Sequence, residues 1–348
     1  MTLAESTPKD LGYYFPAEWA RHTSTWLSYP HNELSWPGKM NTIFPFYHLF
    51  IKELAAGEFA NINVLDEIMM KNVSALLEQG GTDMNNIRFH INPTNDAWCR
   101  DHGPAFVVNR DENMPKAVIN WEYNGWGGKY DAGLDNMIPL RIARELNLKV
   151  FSPGIVMEGG SVDFNGNGTV ITTTSCLLNK NRNPGFTREQ IEYYLMSFYG
   201  VEQVLWLGEG IEGDDTDGHI DDLTRFVSAD TVVTVIEHNK ADKNYIPLQE
   251  NLQKLNSFRL LNGKQMNIAE LPMPEPVYYQ GQRLPVSYAN FYISNAGVIV
   301  PTFNCRQDDR AISVLSDCFT DRPVTGIDSL EIIWGLGSWH CLSQQEPA

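Results

Sequence analysis

Glu158-Gly159-Gly160-Ser161-Val162-Asp163-Phe164-Asn165-Gly166-Asn167-Gly168-Thr169-Val170-Ile171-Thr172 is the stretch that decides the fold. A carboxylate leads into a short apolar strand, an Asn/Gly turn reverses the chain, and a β-branched strand returns. That is the pattern of a β-hairpin. The arrangement recurs on both sides of this stretch. Asp96 leads into an apolar strand over 105–108, a polar turn over 110–113 and a second strand over 117–121. His219 leads into strands over 223–227 and 231–236, and Asn290 into strands over 291–293 and 297–300. Between the hairpins, apolar spacing predicts helices over 137–146, 187–198, 245–261 and 307–319, with earlier ones over 43–54 and 67–77. Repeated units of about 60 residues stack around an axis or along a line.

A fifth hairpin is split. Its halves are the apolar run 339–342 near one end of the chain and Thr25-Trp26-Leu27-Ser28-Tyr29 near the other. Pairing those two strands would close a ring of five. In a closed ring the residues that open each hairpin converge on the axis: Asp96, Glu158, His219, Asn290 and Cys341. The alternative is that five polar residues at strand starts are ordinary caps and turn formers. No linker, low-complexity tract or charge break divides the chain, so one domain over 1–348 is expected.

The 348 residues include 43% hydrophobic ones, enough for a large core, and carry a formal charge of −17. Such acidity argues against nucleic acid or an anionic membrane as partner, both of which need a basic surface. It suits a small cationic substrate, and equally any acidic cytoplasmic protein. Met1-Thr2-Leu3-Ala4-Glu5-Ser6 shows neither a basic start nor an apolar run, so no secretory signal is expected. The cysteines 99, 176, 305, 318 and 341 are odd in number and scattered. That favours free thiols in a reducing compartment over a disulfide framework or a zinc cage.

Cys341 is the candidate nucleophile. Sulfur attacks as thiolate, and a free cysteine is mostly thiol at neutral pH, so a nearby imidazole or bound cation is needed. A lone cysteine in this position is ordinarily a buried spectator. His340 adjoins it, but neighbours in a strand point to opposite faces, so His219 is the better acid/base partner. His219 and Asp221 would share one strand face, and Glu158 could orient the imidazole. Asp96 and Asp221 could supply the paired carboxylates that a planar guanidinium accepts, with Trp98 as an aromatic wall. Arg100 and Asp101 read as a salt bridge that holds their loop. A divalent ion held by His219, Asp221, Glu158 and Asp96 is the competing reading, but it lacks a second histidine ligand. The acids of 209–217 are either a solvated loop or a selector for a second positive charge on the substrate. Asn124-Gly125-Trp126-Gly127-Gly128 reads as a flexible lid and not as a phosphate loop, since no Lys-Ser/Thr follows.

At these residues the chain resembles the agmatine deiminase / Porphyromonas-type peptidylarginine deiminase family of the guanidino-group-modifying superfamily. The likeness runs from Pro16-Ala17-Glu18-Trp19 and Trp36-Pro37-Gly38 through Asp96-Ala97-Trp98-Cys99-Arg100-Asp101. It continues in Glu158-Gly159-Gly160, Asn181-Arg182-Asn183-Pro184 and Gly218-His219-Ile220-Asp221, and ends in His340-Cys341-Leu342-Ser343-Gln344-Gln345. The resemblance implies a five-bladed α/β propeller (pentein), its fifth blade closed by the N- and C-terminal strands. It implies that Cys341 attacks the guanidinium carbon, that Asp96 and Asp221 hold the nitrogens, and that His219 protonates the departing ammonia and then activates water. Glu158 would support His219, and no metal or organic cofactor is implied.

Two departures stand out. Leu336 replaces the middle glycine of a triple-glycine stretch, within Gly335-Leu336-Gly337-Ser338-Trp339. Asp215 stands where many agmatine enzymes carry glutamate. The acids near His219 favour agmatine, which ends in an ammonium, over arginine or peptidyl-arginine. The expected reaction is agmatine and water to N-carbamoylputrescine and ammonia, with Trp98, Asp215 and Asn290 as further substrate contacts. An amidinotransferase and a non-catalytic binding protein are the remaining alternatives, and a homo-oligomer stays open.

Overall fold

The computed structural model describes residues 6–111 and 115–348. Each predicted hairpin is present, and each gains a third strand. In the first, Ala105–Asn109 pairs antiparallel with Lys116–Ile119, which pairs parallel with Lys149–Phe151. Part of the turn expected over 110–113, Glu112 and Asn113, lies outside the described residues, as do the first five residues of the chain. The same order holds for Val162–Phe164, Thr169–Thr173 and Gln203–Leu207, and for Thr224–Ser228, Thr231–Ile236 and Asn267–Pro272. It holds again for Tyr292–Ile293, Val298–Thr302 and Val324–Asp328. A parallel partner needs a crossover, and a helix supplies it each time: Ile138–Glu145, Arg188–Tyr199, Tyr245–Ser257 and Asp308–Cys318.

The split unit forms as well. Ser343–Pro347 pairs antiparallel with His22–Ser28, Ser343 facing Leu27, and Phe59–Val64 and Ile87–Ile91 extend that sheet in parallel. Its strand starts at Ser343, not at 339, and this shift matters for the site. The helices Met40–Ala55 and Glu67–Gln79 provide its crossovers.

Local chemistry explains the element ends. Thr187 and Gln190 make a reciprocal capping box at the start of Arg188–Tyr199, and Gly200 ends that helix in the left-handed region at φ 69°. The Asp66 side chain accepts from Met69 N at 2.8 Å to open Glu67–Gln79. The third crossover helix stops at Ser257, short of the expected 261, because Phe258 turns extended. The β-branched runs fill the core: Val232, Val233 and Val235 are buried beneath Leu248 and Leu255 of the following helix. The 124–128 segment is not an open lid. Asn124 caps Gly127 N, and Trp126 is buried. Among the described residues no helix is long and apolar enough to cross a membrane.

Candidate active site

Each hairpin's first strand is preceded by a tight turn, and these turns carry the reactive side chains. Glu158 caps the turn Gly159–Ser161 before Val162, and His219 caps Ile220–Asp222 before Thr224. Cys99–His102 forms the matching turn before Ala105, and Asn290 and Cys341 sit two residues ahead of their strands. His219 and Asp221 therefore meet across a turn and not along a strand. In the first repeat Asp101 lies within the turn, and Asp96 lies ahead of it.

Cys341 is buried, and its sulfur receives the Asn290 Nδ2 hydrogen bond at 3.0 Å and lies 3.5 Å from Asp221 Oδ2. Burial, then the charges of Asp221, Asp222 and Asp101, pushes the thiol well above its ordinary range. Asn290 also accepts from Cys341 N at 3.3 Å and donates to Asp222 at 3.0 Å, so it holds Cys341 by both its sulfur and its backbone. Trp98 stacks on Trp36 with centroids 5.1 Å apart. A Cβ added at Gly337 would lie 2.6 Å from the Trp98 ring and 3.0 Å from Cys341 Cβ, so this glycine lets the indole wall reach the thiol.

His219 is fully buried. Its Nδ1 lies 3.7 Å from Asp101 Oδ1 and 3.9 Å from Asp221 Oδ1, and its Nε2 lies 4.0 Å from Glu158 Oε2. None of these is a hydrogen bond. Both ring nitrogens, Asp221 Oδ1 and Glu158 Oε2 are buried without a hydrogen-bond partner among the described residues. Burial is the dominant effect on the imidazole and pulls its pKa down to about 3, against the pull of Asp221. Burial also raises Glu158, although Arg182 Nε holds its Oε1 at 2.9 Å. Gly160 makes the convergence sterically feasible: a Cβ there would lie 2.6 Å from His219 Nδ1, 2.8 Å from Asp101 Oδ1 and 3.0 Å from Asp221 Oδ2.

Several residues outside the expected set complete the site. His340 does not point away from Cys341. It lies in a turn, not a strand, and its Nδ1 is hydrogen-bonded with Asp221 Oδ2 at 2.7 Å and its Nε2 with Glu18 Oε2 at 2.8 Å. Burial would raise the Glu18 carboxyl, but Arg225, His340 and Arg100 together hold it well below its ordinary value. Arg100 thus pairs with Glu18 at 3.4 Å, not with Asp101. Asp101 instead accepts from Trp126 Nε1 and Gly160 N, each at 2.9 Å, and burial with Asp221 and Glu158 nearby keeps it well above the carboxylate range. Asp214 holds the loop ahead of the imidazole, accepting from Gly218 N at 2.9 Å and His219 N at 3.2 Å.

Asp96 makes a separate set of hydrogen bonds. Its carboxylate accepts from Asn32, Ser35 and Ala97 N. Among the described residues, no hydrogen bond or ion pair joins it to Cys341, His219, Glu158 or Asp221. Its field reaches the Tyr123 hydroxyl, which burial, then Asp101, Asp135 and Glu158 also raise. Asp215 lies farther out, accepting from Tyr130 at 2.8 Å and paired with Lys129 at 3.4 Å. A surface cleft is lined by Tyr130, Asp215, Arg283, Leu284 and Leu336. Of the acidic stretch, Asp214 and Asp217 are engaged inward, Asp217 with Arg182 and Lys129. Glu212 and Asp215 face the cleft.

One group of metal-type donors exists among the described residues: Glu158, Cys176 and His219, with donor atoms within 4.8 Å of one another. The Arg182 guanidinium on the other oxygen of Glu158 places a fixed cation beside any ion bound there, which disfavours a metal at this place.

Comparison with known proteins decides the family. The model of the Porphyromonas-type peptidyl-arginine deiminase family matches residues 14–347. The chain belongs to this family. An agmatine deiminase of Ectopseudomonas mendocina is 33% identical over 373 aligned positions, covering 100% of this chain and 99% of the relative. Among solved structures, the Enterococcus faecalis agmatine deiminase superposes with a TM-score of 0.91 at 29% identity, covering 99% of this chain and 98% of that one. A cysteine-to-serine variant of the C. jejuni agmatine deiminase with substrate bound superposes at 0.88 with 31% identity, covering 97% and 96%. The mixed α/β fold of this chain is thus that of the deiminase family.

Proposed function

We propose that the chain hydrolyses agmatine to N-carbamoylputrescine and ammonia through a covalent intermediate on Cys341. The observation that carries this reading is the set of buried atoms without protein partners around the thiol: Asp221 Oδ1, Glu158 Oε2 and both His219 nitrogens. Buried carboxylate oxygens without donors are costly unless a ligand supplies them. A guanidinium is a planar cation with N–H groups on every edge and answers that need. The likeness to agmatine deiminases along nearly the whole chain supports the same substrate class.

The chemistry follows from the surroundings of each group. A thiol raised by burial and nearby carboxylates ionises when a cation settles beside it, so the substrate itself prepares its nucleophile. Asp221 and Glu158 hold the guanidinium nitrogens, and Asp96 joins Asp221 as a second carboxylate on them. As the Cys341 sulfur bonds to the guanidinium carbon, its thiol proton passes to His219, which delivers it to the nitrogen that leaves as ammonia when its C–N bond breaks. His219 then takes a proton from water as its oxygen bonds to the same carbon. The C–S bond breaks, and the ureido product departs with Cys341 restored.

In the same reading the five sheets are the blades of a single-domain propeller, closed where Ser343–Pro347 meets His22–Ser28. The cleft favours a tail ending in an ammonium: its lining carries Glu212, Asp214, Asp215 and Asp242 against Lys243 and Arg283. Arg283 is already bound through Nη1 to both oxygens of Asp242, at 2.7 and 2.8 Å. Product assays on agmatine, arginine and blocked peptidyl-arginine test the reading, with Cys341→Ala in parallel. Agmatine is expected to be the best substrate, and the variant to lose at least about 10³-fold. Faster turnover of arginine or a peptide would overturn the substrate, and an active Cys341→Ala enzyme the mechanism.

A further inference from the structure

Six non-glycine residues among those described have positive φ, and Leu336, at φ 72° and ψ 18°, is the single aliphatic one. A branched side chain in the left-handed region is strained, where glycine is not. Its neighbours are glycines for a different reason. A Cβ at Gly335 would lie 2.6 Å from Trp36 and 2.7 Å from Trp98, and one at Gly337 would press on Trp98 and Cys341. Backbone geometry alone would place glycine at 336 too. The strained leucine is therefore an outlier that calls for a functional reason.

Its position supplies one. Leu336 caps the turn Ile332–Gly335, its N–H bonding Ile333 O at 2.9 Å, and it is only partly buried. It lines the cleft together with Leu284, Tyr130 and Asp215. The next residue, Gly337, sits so close to Cys341 that a Cβ added there would lie 3.0 Å from the Cys341 Cβ. With this cleft as the mouth of the site, a guanidine whose reactive carbon sits at Cys341 runs its tail past this leucine toward the acidic rim.

We propose that Leu336 is a specificity-determining residue, the apolar surface on which the alkyl tail of the guanidine substrate lies. The inference rests on reading the cleft as the mouth for an alkylguanidine. It assigns the leucine to tail recognition and not to chemistry at the thiol.

The test compares wild type, Leu336→Gly and Leu336→Met for agmatine kinetics, for methylguanidine turnover and for the rate of Cys341 alkylation by iodoacetamide. Leu336→Gly is expected to raise KM for agmatine about 10-fold, the worth of one largely lost aliphatic contact. Methylguanidine turnover and alkylation, which involve no tail, should stay within about twofold, and Leu336→Met should restore KM. Thermal unfolding of Leu336→Gly should move up by about 2 °C, because glycine relieves the strained backbone. An unchanged KM for agmatine overturns the proposal. So does an equal fall for methylguanidine and for alkylation, which would make Leu336 a support of the Cys341 turn. Wild-type enzyme that turns over no guanidine while its thiol alkylates normally would remove the deiminase reading and this inference with it.

Discussion

Two regions of the buried centre, only a few ångströms apart, are built on opposite principles. Behind Asp221 lies a network in which each charge has a partner: Glu18 binds His340, Arg225 and Arg100, and Arg225 also binds Asp163 and the Phe291 carbonyl at 2.9 Å. In front of Asp221 lie His219, Glu158 Oε2 and Asp221 Oδ1, without such partners among the described residues. Asp221 belongs to both, one oxygen saturated and one exposed to whatever binds. The contrast teaches that burial alone does not mark an active site. What marks it is burial whose polar demand the protein leaves unmet beside a nucleophile.

The largest effect that would break this contrast is on the saturated side. Arg225→Leu strands Asp163 as a buried charge and removes one of the three partners of Glu18, and a loss of about 3–5 kcal/mol is expected in denaturant unfolding. A loss below about 1 kcal/mol would mean that the network is not the frame of the site. On the unsaturated side, His219→Gln should leave the fold intact and lower kcat/KM about 10²–10⁴-fold, the usual weight of a general acid/base. If it unfolds the protein instead, the two regions are not distinct.

Gly160→Ala probes the shared boundary. Its methyl group would push His219, Asp101 and Asp221 apart, and about 10²-fold in kcat is expected from a displacement near 1 Å. Near-normal activity would show that the cluster is looser than its distances indicate.

The smallest effect is on pH-dependent stability. The folded-state pKa of His219 is depressed to about 3, while the unfolded chain titrates near 6.5. Between those values the unfolded state binds the extra proton, so His219 costs stability as pH falls through this window and nothing above it. His219→Gln should flatten the decline of unfolding free energy between pH 6 and 4 by up to about 1.4 kcal/mol per pH unit. Slopes that coincide for variant and wild type would show that the buried imidazole is charged.

Much of this centre is legible in the chain. Period-two apolar runs and Asn/Gly turns mark the hairpins, and Cys341, His219, Glu158, Asp221 and Asn290 stand just ahead of strands, as the repeat requires. Counting by eye fails where a turn intervenes. Asp96, the polar residue expected to open the first hairpin, lies ahead of the turn Cys99–His102, and that turn itself brings Asp101 to the centre. His340 was set aside by strand alternation, but the strand begins at Ser343, and in the turn before it adjacent side chains reach the same carboxylate.

The sequence by itself determined the repeat, the strand and helix order and the candidate nucleophile, because these depend on local periodicity and on intrinsic side-chain chemistry. Only the tertiary structure decided which groups are charged, which are satisfied and which are left open. Glu18 meets His340 across 322 positions of chain, and Arg182 reaches Glu158 from the loop ahead of the next helix. Desolvation depends on everything packed around a group, and no stretch of sequence carries that information.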